Sequence, residues 1–199
     1  MASTGMISVE DARARILSFF KRLAPERKAL MQALGQVLAE DVIAPFDIPP
    51  LDNTAMDGYA VRAADTAGAN ETAPVELRVT ANLAAGYVHA GSIGPGEAIR
   101  IMTGAPIPAG ADAVVPFEET DEVLRGPGER PASGGSVRIF KAASPGANVR
   151  GRAGDIASGS IVIPAGRVLR PSEIGVLASI GASEVSVYRR PVVGVLSTG

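Results

Sequence analysis

The sequence has no cysteine, no tryptophan, a single histidine and only 4% aromatic residues. Without cysteine there can be no disulfide, thiolate metal site or cysteine nucleophile. One imidazole, His89, excludes a zinc site built on two histidines, and any Ser-His-Asp triad would have to use it; its glycine-flanked setting reads as surface. Few aromatics argue against stacking platforms for single-stranded nucleic acid. With 19 basic and 21 acidic side chains the net charge is −2, so no broad positive field invites nucleic acid or an anionic membrane. No apolar run approaches the roughly 18 residues of a membrane span. The start, Met1-Ala2-Ser3-Thr4-Gly5-Met6, lacks the basic stretch and apolar run of a signal peptide, so a cytoplasmic location is expected. Lysine is scarce too: Lys21, Lys28 and Lys141 apart, the basic residues are arginines, which suit oxyanion recognition, although a general composition bias explains them as well.

What is present is aliphatic and heavily punctuated. Hydrophobic residues make up 46% of 199, enough for one generous domain or two small ones, and 23 Gly with 15 Pro predict short elements joined by tight turns. The expected fold class is therefore mostly β with a few helices (α+β). Ser8 can cap a helix whose apolar stripe runs from Val9 to Leu23 before Pro25 ends it. A shorter helix is expected over 28–34, with Gly35 behind it, then a strand from Val37 to Ile43. Between Pro45 and Arg150 no long helix is expected. Strands are predicted at 59–62, 75–82, 98–102, 113–117 and 137–141, with a loop or hairpin tip from Arg125 to Gly135. Further strands at 160–163 and 167–169 flank a turn at Pro164-Ala165-Gly166. Pro171-Ser172-Glu173 opens a helix that ends before Gly181. Strands at 184–188 and 192–196 follow. The chain stops at Ser197-Thr198-Gly199, where a strand leading into a small polar loop would open an α/β unit, so it reads as the front part of something longer.

Three segments concentrate chemistry. In Pro49-Pro50-Leu51-Asp52-Asn53-Thr54-Ala55-Met56-Asp57-Gly58-Tyr59-Ala60-Val61, two prolines force an extended approach to a loop rich in acceptors, able to present a carboxylate to a metal or an oxyanion-bearing ligand. In Ile99-Arg100-Ile101-Met102-Thr103-Gly104-Ala105-Pro106, a strand ends in small residues whose backbone N–H groups can approach a ligand, and the Thr103 hydroxyl can donate to an oxyanion. The Gly-Lys-Ser/Thr ending of a P-loop is missing. In Gly146-Ala147-Asn148-Val149-Arg150-Gly151-Arg152-Ala153-Gly154-Asp155-Ile156, arginines beside glycine can fork onto a phosphate, and Asp155 adds a carboxylate. Singly, each segment reads equally well as a decorated turn or solvated connector. The acidic run Glu118-Glu119 and Asp121-Glu122 reads as a solvated edge.

Together, and in this order, the three segments resemble the molybdopterin molybdenumtransferase family, the bacterial MoeA proteins and the E domain of gephyrin. The carrying residues are Asp52 to Ala60, Ile99 to Pro106 with Pro108 and Gly110-Ala111-Asp112-Ala113-Val114-Val115, Asn148-Val149-Arg150 and Asp155-Ile156. The likeness continues through Ile163-Pro164-Ala165-Gly166 to Ser197-Thr198-Gly199. One departure stands out: Ala153-Gly154-Asp155 occupies the place of the family's Gly-Glu-Asp, so one acid is absent.

The resemblance implies an elongated, multi-domain N-terminal region. Residues 1–45 and 147–180 would form a discontinuous first domain, 46–146 an inserted β-rich second domain, and 181–199 the truncated first strands of a molybdopterin-binding α/β domain. It implies insertion of molybdenum from molybdate into adenylylated molybdopterin with release of AMP, assisted by Mg²⁺, in a homodimer supplied by a molybdopterin adenylyltransferase. The missing pterin domain would leave this stretch inactive alone. It also implies Asp57, Thr103 and Asp155 as catalytic residues, Asp57 and Asp155 as metal ligands, and Arg150, Asn53 and Thr54 as substrate or anion contacts. The absence of soft protein ligands agrees with molybdenum being carried on the substrate's sulfurs. A gephyrin-like scaffold without catalysis is the alternative.

Overall fold

The computed structural model describes residues 6–125 and 134–197. Most of the expected 125–135 loop therefore lies outside the described residues. In chain order the elements are α1 (Val9–Leu17), β1 (Pro25–Ala29), β2 (Val42–Ile43), β3 (Asn53–Thr54), β4 (Gly58–Val61), β5 (Val75–Leu83) and β6 (Glu97–Ile101). There follow β7 (Ala113–Pro116), β8 (Ser136–Ile139), β9 (Val149–Arg150), β10 (Ile161–Ile163), α2 (Pro171–Ser179) and β11 (Glu184–Tyr188), with short 3₁₀ turns between. The fold is mostly β with a few helices. Among the described residues no helix is long and apolar enough to cross a membrane.

Two compact units divide the chain, one of Met1–Pro45 with Gly159–Gly199 and one of Phe46–Ser158. In the first, β1 pairs antiparallel with β11 and β2 with β10. Leu30, Ala33, Leu38, Leu169, Leu177, Val185 and Val187 are buried there. Pro171 stands in the first turn of α2, and Glu173 returns to accept from the Arg170 N–H, satisfying a donor that the helix start leaves free.

The second unit is built on a five-stranded sheet in the order β7-β4-β6-β5-β8. All its pairings are antiparallel except β5 with β6. Alternation along β4 sends Tyr59 and Val61 into a cluster with Leu77, Val79, Val115, Val137 and Ile139. Ala60 faces the other way, among Leu83, Ile99, Ile101 and Val114. A strand with apolar cover on both faces needs hydrophobic residues at every position, which is why Tyr59-Ala60-Val61 does not alternate with polar ones. Gly58 opens β4 where a side-chain carbon would collide with the Val115 carbonyl, so the strand can start there only with glycine.

Several expectations are corrected. The first helix ends at Leu17, six residues early. None of its residues is buried, so no packing extends it, and the Ser18 hydroxyl turns back to the Arg15 carbonyl. The helix expected over 28–34 is instead β1 followed by a 3₁₀ turn at Leu30–Ala33, because pairing with β11 outweighs local helical spacing. Of the strand expected from Val37 to Ile43, only Val42–Ile43 is a strand, while Val37 and Leu38 make isolated bridges to Val168 and Val187. Residues 167–169 form no strand beyond that bridge. No strand forms at 192–196: Val192, Val193, Val195 and Leu196 are exposed, and no neighbouring strand among the described residues takes up their backbone groups.

Candidate functional site

Asp57 lies in the loop between β3 and β4, and Thr103 in the loop after β6. Both loops leave the same end of the sheet, since Gly58 lies opposite Ile101. The Thr103 N–H and hydroxyl both donate to Asp57 Oδ1, at 2.7 and 2.6 Å. Oδ2 takes part in neither bond. Those two donors, hydroxyl before backbone, hold the Asp57 carboxyl below the usual carboxylate range; burial opposes them and the Arg100 charge assists. Asp57 is therefore an anion with one oxygen anchored to the protein.

The remaining expected residues take different places. Thr54 is fully buried; its hydroxyl donates to the Met56 carbonyl at 2.5 Å and accepts from the Met56 N–H, closing the turn that carries Asp57. The Thr54 backbone clasps the Thr103 loop, accepting from Gly104 N–H and donating to the Ala105 carbonyl. Asn53 pairs with Arg150 across the short β3–β9 ladder, and its Oδ1 is buried with no hydrogen-bond partner. The Arg150 side chain is exposed. Asp155 is exposed as well, on a loop whose N–H groups at Ala153 and Asp155 donate to the Pro49 and Ile48 carbonyls. That loop is tied further by Arg152, whose backbone N–H donates to Asp52 and whose guanidinium pairs with Asp47. Hydrogen bonds thus bring Asp57 and Thr103 together, and Asn53 and Arg150 by backbone, whereas none among the described residues joins the Asp155 side chain to either pair. His89 is half-buried rather than fully at the surface.

A buried network next to Asp57 was missed by the sequence reading. Arg100, 7% exposed, puts Nε and Nη2 on the Glu122 carboxylate, with Nη2 at 2.6 Å from Oε1. The Tyr59 hydroxyl donates to the same carboxylate at 2.5 Å, and burial with this bond pushes the phenol pKa up. Phe117 lies 4.3 Å from the guanidinium. A lone arginine between Ile99 and Ile101 was the available signal, because a charge in an apolar strand demands a partner. The partner sits in the acidic run expected to be a solvated edge. Asp121 is buried and Glu122 partly so, which corrects that expectation.

Among the described residues no three His, Cys, Asp or Glu side chains gather as a metal cluster.

The description of the MoeA N-terminal region (domain I and II) matches residues 7–181. The chain is 41% identical over 194 residues to molybdopterin molybdenumtransferase 2 of Mycobacterium tuberculosis, covering 98% of this chain and 45% of that protein. It is 37% identical over 193 residues to the molybdopterin molybdenumtransferase of Staphylococcus aureus, covering 97% and 44%. The crystal structure of the molybdopterin biosynthesis moeA protein from Pyrococcus horikoshii OT3 superposes with a TM-score of 0.84 at 34% identity, covering 94% of this chain and 47% of that one. The chain thus spans less than half the length of the curated relatives it matches. A family match over most of the chain, together with this agreement in fold, shows that it belongs to the MoeA family and corresponds to its N-terminal region.

Proposed function

We propose that this chain supplies one wall of an active cleft that inserts molybdenum from molybdate into adenylylated molybdopterin, releasing AMP, in molybdenum cofactor biosynthesis. The observation that carries the reading is the anchored Asp57 carboxylate, anionic and with Oδ2 outside the Thr103 clasp. Asp57 presents negative charge from a sheet end, Thr103 aims it, and the exposed Arg150 and Asp155 offer an anion contact and a second carboxylate. Asn53 and Thr54 shape the loop. The carboxylate oxygens of Asp57 and Asp155 are hard donors that fit Mg²⁺, a cation that keeps several waters and takes one or two carboxylates beside substrate phosphates. Asp57 and Asp155 would hold it, and when bound it would neutralise charge on the phosphoryl group and the departing AMP. The pterin-nucleotide site and the second subunit of a homodimer belong to the same proposal, as does the upstream adenylyltransferase. So do the domain limits, 1–45 with 147–180, 46–146, and 181–199 leading into the pterin-binding domain, set beside compact units of Met1–Pro45 with Gly159–Gly199 and Phe46–Ser158, the first of which includes β11.

The test is Asp57→Asn in a protein of the relatives' full length that carries this segment. Asparagine keeps an acceptor for Thr103, so the melting temperature should move by no more than the few degrees of a change near 1 kcal/mol. Molybdenum insertion should fall at least about tenfold, because a charge facing a cation or a transferring phosphoryl group is lost. Normal insertion with a lowered melting temperature would make Asp57 purely structural. Residues 1–199 alone should give no product above a blank.

A further inference from the structure

The first unit contains a pocket of about 500 Å³ whose lining shares no residue with the Asp57–Thr103 clasp. Its lining includes Arg22, Leu23, Val37, Ala39, Tyr188 and Arg189. The walls are knitted by backbone hydrogen bonds: Arg189 N–H to the Ala24 carbonyl, Tyr188 N–H to Val37, Ala39 N–H to Ser186, and Gly166 N–H to Leu38. A wall built this way exists before any ligand arrives.

The charges on it are uncompensated. Neither Arg22 nor Arg189 makes an ion pair among the described residues, and three acids of this unit are engaged elsewhere, the exposed Glu40 beside Ala39 being the exception. Glu26 pairs with Lys28, Glu184 with Arg27, and Asp41 accepts from the Ala165 N–H. The next residue, Arg190, is different again, because its guanidinium donates to the Leu34 carbonyl. Arg22 lies over the Tyr188 ring at 5.9 Å. Two unpaired guanidiniums call for a doubly charged oxyanion, which each can meet with forked hydrogen bonds. The ring of Tyr188 with Leu23, Val37 and Ala39 calls for a flat apolar body attached to it.

We propose that this pocket binds a phosphate monoester carried on a small flat apolar or aromatic group, with Arg22 and Arg189 on the phosphate and Tyr188 against the ring. The site is independent of the clasp, so its fate does not depend on the molybdenum-insertion reading.

Phenyl phosphate, inorganic phosphate and benzoate, titrated calorimetrically into the 199-residue chain, provide the test. Phenyl phosphate should bind one to one with a Kd at or below about 1 mM, and more tightly than either of the other two. Arg22→Gln with Arg189→Gln should weaken it by about tenfold or more, and Tyr188→Leu by a factor of about three. Arg190→Gln should leave affinity within about twofold, because that guanidinium is already committed to Leu34. Circular dichroism melts confirm that each variant is folded. Absence of saturable binding by phenyl phosphate, equal binding of inorganic phosphate, or affinity unchanged in the folded double variant would overturn the proposal.

Discussion

Asp57 and Asp155 are both acids on loops of the second unit, yet the chain treats them differently. Asp57 directly precedes β4, and its carboxylate is gripped by Thr103 from the end of the neighbouring β6. Behind that pair stand the Arg100–Glu122–Tyr59 network and two apolar clusters. Asp155 is held only through its backbone, on a loop stitched to Ile48, Pro49, Asp47 and Asp52, and it is exposed. A carboxylate that must keep one position is best built onto a rigid sheet end. One on a backbone-anchored loop can still move its side chain toward a ligand. The comparison therefore assigns fixed aim to Asp57 and adaptability to Asp155.

The largest expected effect comes from breaking the support under Asp57. Glu122→Ala leaves the Arg100 charge buried and the Tyr59 hydroxyl without its acceptor. Losing one partner of a buried pair costs about 3–5 kcal/mol, because the remaining charge is uncompensated. Urea denaturation should show a loss of that size. A loss below about 1 kcal/mol would mean that Arg100 finds water through the adjoining pocket of about 400 Å³ lined by Asn82 and Met102, and that the sheet end is less rigid than argued.

A smaller effect separates the two acids directly. The Asp57 carboxyl has its pKa lowered in the folded state. Such a group adds stability that is fully present above its ordinary value near pH 4 and is lost as the pH falls through the folded value. Thr103→Val removes the hydroxyl donor and keeps the backbone one, so at neutral pH it should cost about 1–1.5 kcal/mol. The cost should shrink steadily below about pH 4 as both proteins protonate. Asp155→Asn should stay within about 0.5 kcal/mol under the same conditions, as expected of an exposed side chain. A Thr103→Val cost that does not change with pH would show that the hydroxyl acts by packing and does not stabilise charge.

How much of this was legible follows the same division. The sheet strands were readable because Val, Ile, Ala and Tyr runs between Gly and Pro leave few alternatives, and residues 75–82, 98–102 and 113–117 fall almost wholly on β5, β6 and β7. Asp57 and Thr103 were marked by motif, but that one grips the other was not readable across 46 positions of sequence. The first unit was read less well. The helix expected over 28–34 gives way at its start to β1, whose partner lies more than 150 residues away at β11. Local spacing carries no information about that pairing. The acidic run at 118–122 was misread for a related reason: Glu122 is charged like a surface residue, and only the position of Arg100 makes it a buried partner.

The smallest effect tests the Asp155 loop itself. Ala153 has φ +59°, a left-handed conformation that costs an L residue about 1–2 kcal/mol relative to glycine. The loop keeps Ala153 there because its N–H reaches the Pro49 carbonyl while the next N–H, from Gly154, returns to the Gly151 carbonyl. The resembling family places glycine at this position, so the present chain carries strain two residues before a candidate site acid. Ala153→Gly should relieve that strain, but glycine also frees the unfolded chain, which offsets part of the gain. The net should be a rise in stability of about 0.5–1 kcal/mol by chemical denaturation. A fall in stability would instead mean that the half-buried Ala153 methyl contributes packing worth more than the strain it imposes. In that case the Asp155 loop would be held by side-chain contacts in addition to its backbone bonds, and the contrast drawn with Asp57 would narrow.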